Sequence, residues 1–159
     1  MTSQPIDIDI STEDRGAIAD ALSQFLADSY SLYLKTQNYH WNVTGPQFGA
    51  LHAMFEEQYQ DLALAVDEIA ERIRALGHLA PASFSAFAAR SGVPEPDSGK
   101  VPAMEMVRAL AQDNETLSRT ASHVIEVAEA GSDDPTADMA TARRTVHEKA
   151  AWMLRSYLE

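Results

Sequence analysis

Two pairs of side chains with metal-binding chemistry lie on one stretch of this chain. His52 and Glu56 are four residues apart, and so are Asp67 and Glu71. On a helix that spacing puts both members of a pair on one face. His40, followed by Trp41, precedes them. Imidazole and carboxylate without sulfur make a donor set suited to iron, manganese or zinc. The chain has no cysteine, which also excludes disulfides, thiolate nucleophiles and iron–sulfur clusters.

Distance constrains what the two pairs can do. His52 and Asp67 are fifteen residues apart, about 22 Å along a straight helix. Ligand atoms stand about 2 Å from a metal, so one chain cannot place both pairs on one ion. Two readings remain. Either the pairs are unrelated, with Asp67 and Glu71 simply facing Arg72 or Arg74, or two copies of the helix run antiparallel across a two-fold axis. In the second case His52 and Glu56 of one copy meet Asp67 and Glu71 of the other, and a dimer holds two equivalent sites.

The elements that must carry these residues are helices. Ser11 and Thr12 are good N-caps, with Asp14 three after Ser11 as a variant of the capping box. Ile18, Leu22, Phe25, Ser29 and Leu32 then step by threes and fours to about Tyr39. Residues 42–45 break that helix, and Pro46 suits the first turn of the next. Phe48, Leu51, Phe55, Leu62, Val66, Ile69, Ile73 and Leu76 carry the clearest rhythm, with Tyr59 filling its gap and Gly77 past its end. About 31 residues make a rod of roughly 46 Å. The stretch 78–101, with Pro81, Pro94 and Pro96, is a long connection with a short helix around Ser83–Arg90. Pro102 opens a third long helix that ends at Gly131. Asp134 and Pro135 supply an N-cap and first position for a fourth, running to about Tyr157. The expected fold is all-α: a four-helix bundle whose long crossover, holding a short helix, joins helices two and three, which is ferritin-like connectivity.

Composition sets the wider limits. The 159 residues, 45% of them hydrophobic, suffice for one domain, 1–159, with an acidic N-terminal arm over 1–11. The formal charge is −12, the wrong sign for a phosphate-binding surface. No apolar run reaches membrane-spanning length, and no base precedes Arg15, so neither a transmembrane helix nor a secretory signal is expected. A cytoplasmic location is the default expectation.

The string NYHWNVTGPQFGALHAMFEEQYQDLALAVDEIAERIRALG at 38–77 resembles the Dps family, the DNA-protecting miniferritins of starved cells. The likeness continues in DDPTADM at 133–139 and HEKAAWMLRSYL at 147–158. It implies a hollow dodecamer of tetrahedral symmetry that binds Fe(II) between two-fold-related subunits. It further implies that iron is oxidised with hydrogen peroxide, or oxygen, and stored inside as Fe(III), with zinc or manganese as competing ions. His40, His52 and Glu56 of one subunit and Asp67 and Glu71 of its partner would form each site, Glu56 standing where the family often has Asp. By the same resemblance Asp134 and Asp138 would line three-fold pores for cations. Asp134 has a purely structural alternative as an N-cap, and Asp138 as a favourable charge near a helix N-terminus. Trp41 and Trp152 are candidate electron donors to stray oxidant, with core packing as the plainer role.

The chain lacks Glu-x-x-His: Gln37, Gly49, Ala75, Thr120 and Arg144 stand three before its five histidines. That argues against the larger ferritins, which build a site inside one subunit with that motif. It also lacks the basic terminal tail with which DNA-binding members hold DNA, and a dodecamer would multiply the −12 twelvefold, so direct DNA binding is not expected. The competing readings are a nucleoid-protecting DNA binder with little ferroxidase activity, and an interaction bundle with vestigial ligands. His78, His123 and His147 fall outside the expected site, the last as structural or exposed.

Overall fold

The computed structural model describes residues 5–159; residues 1–4 of the expected acidic arm lie outside the described part. Five helices follow one another: α1 (Thr12–Asn42), α2 (Phe48–Ala75), α3 (Phe84–Arg90), α4 (Ala103–Ala130) and α5 (Asp134–Arg155). α1, α2, α4 and α5 form the bundle, and α3 lies in the long connection against α1.

The N-terminus of α1 is set by Ser11. Its Oγ accepts from the Asp14 N–H at 3.0 Å and donates to the Asp14 carboxylate at 2.6 Å. Ile18, Leu22, Phe25 and Leu32 then bury completely or nearly so. The helix runs past Tyr39 to Asn42, because the buried Val43 closes it by an N–H bond to the Tyr39 carbonyl. This extra turn carries His40.

α2 is 28 residues long, about 42 Å. It starts at Phe48 rather than Pro46, since Gly45, at φ 109°, and Pro46 are spent on a turn in which the Phe48 N–H reaches the Gly45 carbonyl. Its apolar stripe, Leu51, Phe55, Leu62, Ile69 and Ile73, is buried. It ends as expected at Gly77, whose φ of 93° lets the Gly77 and His78 N–H groups return to Arg74 and Ile73.

α4 ends where the sequence places its end, at Gly131. Gly131 caps the helix at negative φ, and Ser132 takes the left-handed position at φ 57°. Glycine is needed at 131 for close approach: a Cβ there would stand 2.9 Å from Ile18 Cδ1 of α1. The start of α5 shifts by one residue from expectation. The N-cap is Asp133, not Asp134, and its side chain accepts from the Thr136 N–H.

Buried polar groups tie the helices together. Lys35 of α1 pairs with Asp113 of α4 at 2.8 Å and donates to the Pro94 carbonyl. Asp28 accepts from the Gly92 N–H and the Thr120 hydroxyl, anchoring the long connection to α1 and α4. Among the described residues no helix is long and apolar enough to cross a membrane.

Candidate metal centre

The short α1–α2 connection folds the end of one helix back onto the start of the next, and this brings His40 and His52 together. Their rings stack with centroids 3.8 Å apart and planes 17° from parallel. His40 Nδ1 lies 2.8 Å from the His52 carbonyl, and His52 Nδ1 lies 2.8 Å from the His40 carbonyl. A carbonyl oxygen only accepts, so each Nδ1 carries a hydrogen. In the neutral rings both lone pairs then reside on Nε2, the form in which imidazole binds a metal. Phe48 stacks on His52 at 5.0 Å, and Tyr59 meets His40 edge-on at 5.2 Å. Four groups therefore fix the orientation of two nitrogens.

Glu56 is one turn beyond His52 and half-buried, with Gln60 Nε2 3.4 Å from its carboxylate. Asp67 and Glu71 lie further along α2, both exposed. Neither forms an ion pair among the described residues; the arginines that could have neutralised them are used elsewhere. Arg72 reaches Asp133 and Thr136, and Arg74 donates to the His78 carbonyl. The single chain brings no three His, Asp or Glu side chains into one cluster among the described residues: His40 and His52 meet, Glu56 is not gathered with them, and Asp67 lies about 22 Å along α2 from His52.

Asp134 and Asp138 line one shallow cavity of about 520 Å³ with Glu129. Asp133 is fully buried beneath them. Its burial pushes its carboxyl up, but hydrogen bonds from Arg72 at 2.6 Å and from Thr136 at 2.5 Å and 3.0 Å together hold it below the usual carboxylate range. The acidic start of α5 is thereby clamped to the end of α2.

Trp41 and Trp152 are not core aromatics in this chain: they are 64% and 60% exposed. His147, left open as structural or exposed, is buried: its Nδ1 lies 2.9 Å from Asn114 Oδ1, and Phe25 packs on its ring. Burial, with Arg143 beside it, drops its pKa to about 3. Two features escaped sequence reasoning. The Arg72–Asp133 clamp was obscured because Arg72 has acids nearer in sequence. Tyr59 reads as filler in a helical rhythm, yet it packs on a ligand-type histidine.

This arrangement, a bundle with a crossover and imidazoles beside helix-borne carboxylates, is that of ferritin-like proteins. A ferritin-like domain model matches residues 19–159. A low temperature-induced protein of Nostoc sp. is 43% identical over 156 residues, covering 97% of this chain and 87% of that one. DNA protection during starvation protein 2 of Bacillus anthracis is 38% identical over 141 residues, covering 89% and 96%. The crystal structure of the Dps protein of Vibrio cholerae O1, described as a member of a broad superfamily of ferritin-like diiron-carboxylate proteins, superposes with a TM-score of 0.92 at 29% identity, covering all of both chains. The chain belongs to the Dps family.

Proposed function

We propose that this protein is an iron-detoxifying and iron-storing miniferritin whose ferroxidase sites are shared between two-fold-related copies. His40, His52 and Glu56 of one copy and Asp67 and Glu71 of the next take up Fe(II). The observation that carries the reading is the locked His40–His52 pair, with both Nε2 lone pairs free, on the same helix as two unneutralised acids about 22 Å away. One copy holds half of the donors for two sites, and two antiparallel copies complete both. The Vibrio cholerae relative, called diiron-carboxylate in its description, supports iron as the substrate.

The reaction balances as two Fe(II), one hydrogen peroxide and two protons giving two Fe(III) and two waters. Carboxylate-rich ligation favours the Fe(III) product. Peroxide accepts both electrons in a pairwise reaction, so no hydroxyl radical is released; oxygen is the alternative oxidant, and zinc and manganese compete for the same donors. Copies assemble into a hollow dodecamer. Asp134 and Asp138 line its cation pores, and Trp41 and Trp152 stand as donors to stray oxidant at the surface. Replacing His52 or Asp67 by Ala is expected to slow peroxide-driven loss of Fe(II) at least tenfold in each case. Unchanged rates in both variants would remove the shared site.

The reading includes no direct DNA binding. The charge of −12 per chain repels phosphate. A gel-shift titration of the metal-free protein at moderate ionic strength is expected to leave duplex DNA unretarded. A salt-sensitive shift would favour the nucleoid-protecting reading.

A further inference from the structure

Three tyrosines lead from the histidine half-site toward Asp67 within each copy. His40 meets Tyr59 at 5.2 Å between ring centroids, Tyr59 meets Tyr33 at 6.2 Å, and Tyr33 meets Tyr30 at 5.6 Å. Tyr30 in turn stacks on Phe87 at 4.8 Å, and it lines with Asp67 a groove of about 480 Å³ between α1, α2 and the long connection. The chain of rings thus begins against the histidine half-site and ends in the groove that Asp67 of the same copy also lines. Its course follows from topology: α1 and α2 are antiparallel, so the rings step back along α1 from His40 to Tyr30, ten residues or about 15 Å, in the direction in which α2 runs the fifteen residues or about 22 Å from His52 to Asp67. All three phenols are half-buried. Gln37 donates to Tyr33 Oη at 3.1 Å, which leaves the Tyr33 O–H free to give up its proton. The exposed Trp41 and Trp152 take no part in any of these ring contacts.

We propose that Tyr59, Tyr33 and Tyr30 form a one-electron relay that connects the two iron sites of a dimer through each copy. The proposal rests on the shared-site reading above, because only then do the two ends of the relay belong to different sites. Peroxide at one site takes one electron from the local Fe(II) and a second from the Fe(II) of the other site by way of the rings. Its O–O bond breaks, and the two oxygens take up two protons and leave in two waters. Each tyrosine in turn gives up an electron and releases its phenolic proton to solvent; when it regains an electron from the next ring, or at the end of the chain from the remote Fe(II), it takes a proton back from solvent, so the relay is unchanged at the end. When the remote site is empty, the second electron comes from tyrosine itself. One Fe(II), one peroxide, one tyrosine and one proton then give Fe(III), a tyrosyl radical and two waters. The relay lets two sites holding one ion each act as a two-electron unit.

The test uses the assembled protein carrying ring-deuterated tyrosine. One Fe(II) per two sites is bound anaerobically, one peroxide per iron is added, and samples are freeze-quenched for electron paramagnetic resonance. A radical whose hyperfine pattern collapses on deuteration is expected, and it is expected to fall at least tenfold when both sites are filled first. Tyr59→Phe should abolish it. Tyr33→Phe should keep the radical on Tyr59 but make it persist when both sites are filled. A radical unaltered by deuteration, or the same signal in all three proteins, would overturn the relay. Anaerobic Co(II) titration, read by visible absorbance, separates this from failure of the site. If the tyrosine variants bind Co(II) as the parent does and His52→Ala does not, an absent tyrosyl signal counts against the relay alone. If His52→Ala binds Co(II) normally, the shared site itself has failed.

Discussion

A histidine in this chain is defined by what its Nδ1 touches. His40 and His52 each give theirs to the other's backbone carbonyl, which sets the tautomer that leaves Nε2 for a metal. His147 has ordinary composition but the opposite fate: it is buried, bonded to Asn114, and holds its pKa near 3. An unfolded histidine titrates near 6.5. Between those values the unfolded chain binds the extra proton, so stability rises with pH across the window and falls as pH drops from about 6.5 toward 3. His147→Gln, which keeps a donor for Asn114, is expected to lower stability at pH 7 but to flatten its loss on acidification. Chemical denaturation at pH 7 and pH 4.5 would show this, and an unchanged pH dependence would assign acid sensitivity to other groups.

The helices were legible in the sequence because their apolar positions recur with the helical period. Ile18 to Leu32 on α1 and Leu51 to Ile73 on α2 bury as the rhythm requires. Ends were less legible, since caps depend on tertiary contacts. Gly131 is glycine to let α1 approach, and Asp133 rather than Asp134 caps α5 because Arg72 of α2 holds it. The candidate ligands could be picked out by type and spacing, whereas the stacking of His40 on His52 depends on how five loop residues turn. Asp133→Ala removes both the α5 cap and the partner of Arg72. It should cost roughly 3 kcal/mol in urea unfolding, while Asp134→Ala should cost under about 0.5 kcal/mol. Equal costs would contradict the clamp.

At the scale of the molecule, the long reach of α2 is the controlling fact. It holds imidazoles near one end and acids without an ion-pair partner among the described residues toward the other, too far apart for one ion, and the proposed shared site follows from that separation. Sequence periodicity sees one chain at a time, so the proposed two-fold relation between copies rests on that distance and on family likeness. The apolar groove beside Asp67 is also lined by the exposed Phe84.

Subunit complementation tests the shared site most directly. His52→Ala and Asp67→Ala chains are co-expressed with different tags, mixed oligomers are isolated, and high-affinity Fe(II) sites are counted anaerobically by calorimetry. A site built across the two-fold axis is restored once in every mixed dimer, so random pairing should return roughly a quarter of the parental sites, although neither variant alone has any. Sites confined within one chain would never be restored, and mixed oligomers as empty as the single variants would contradict the account.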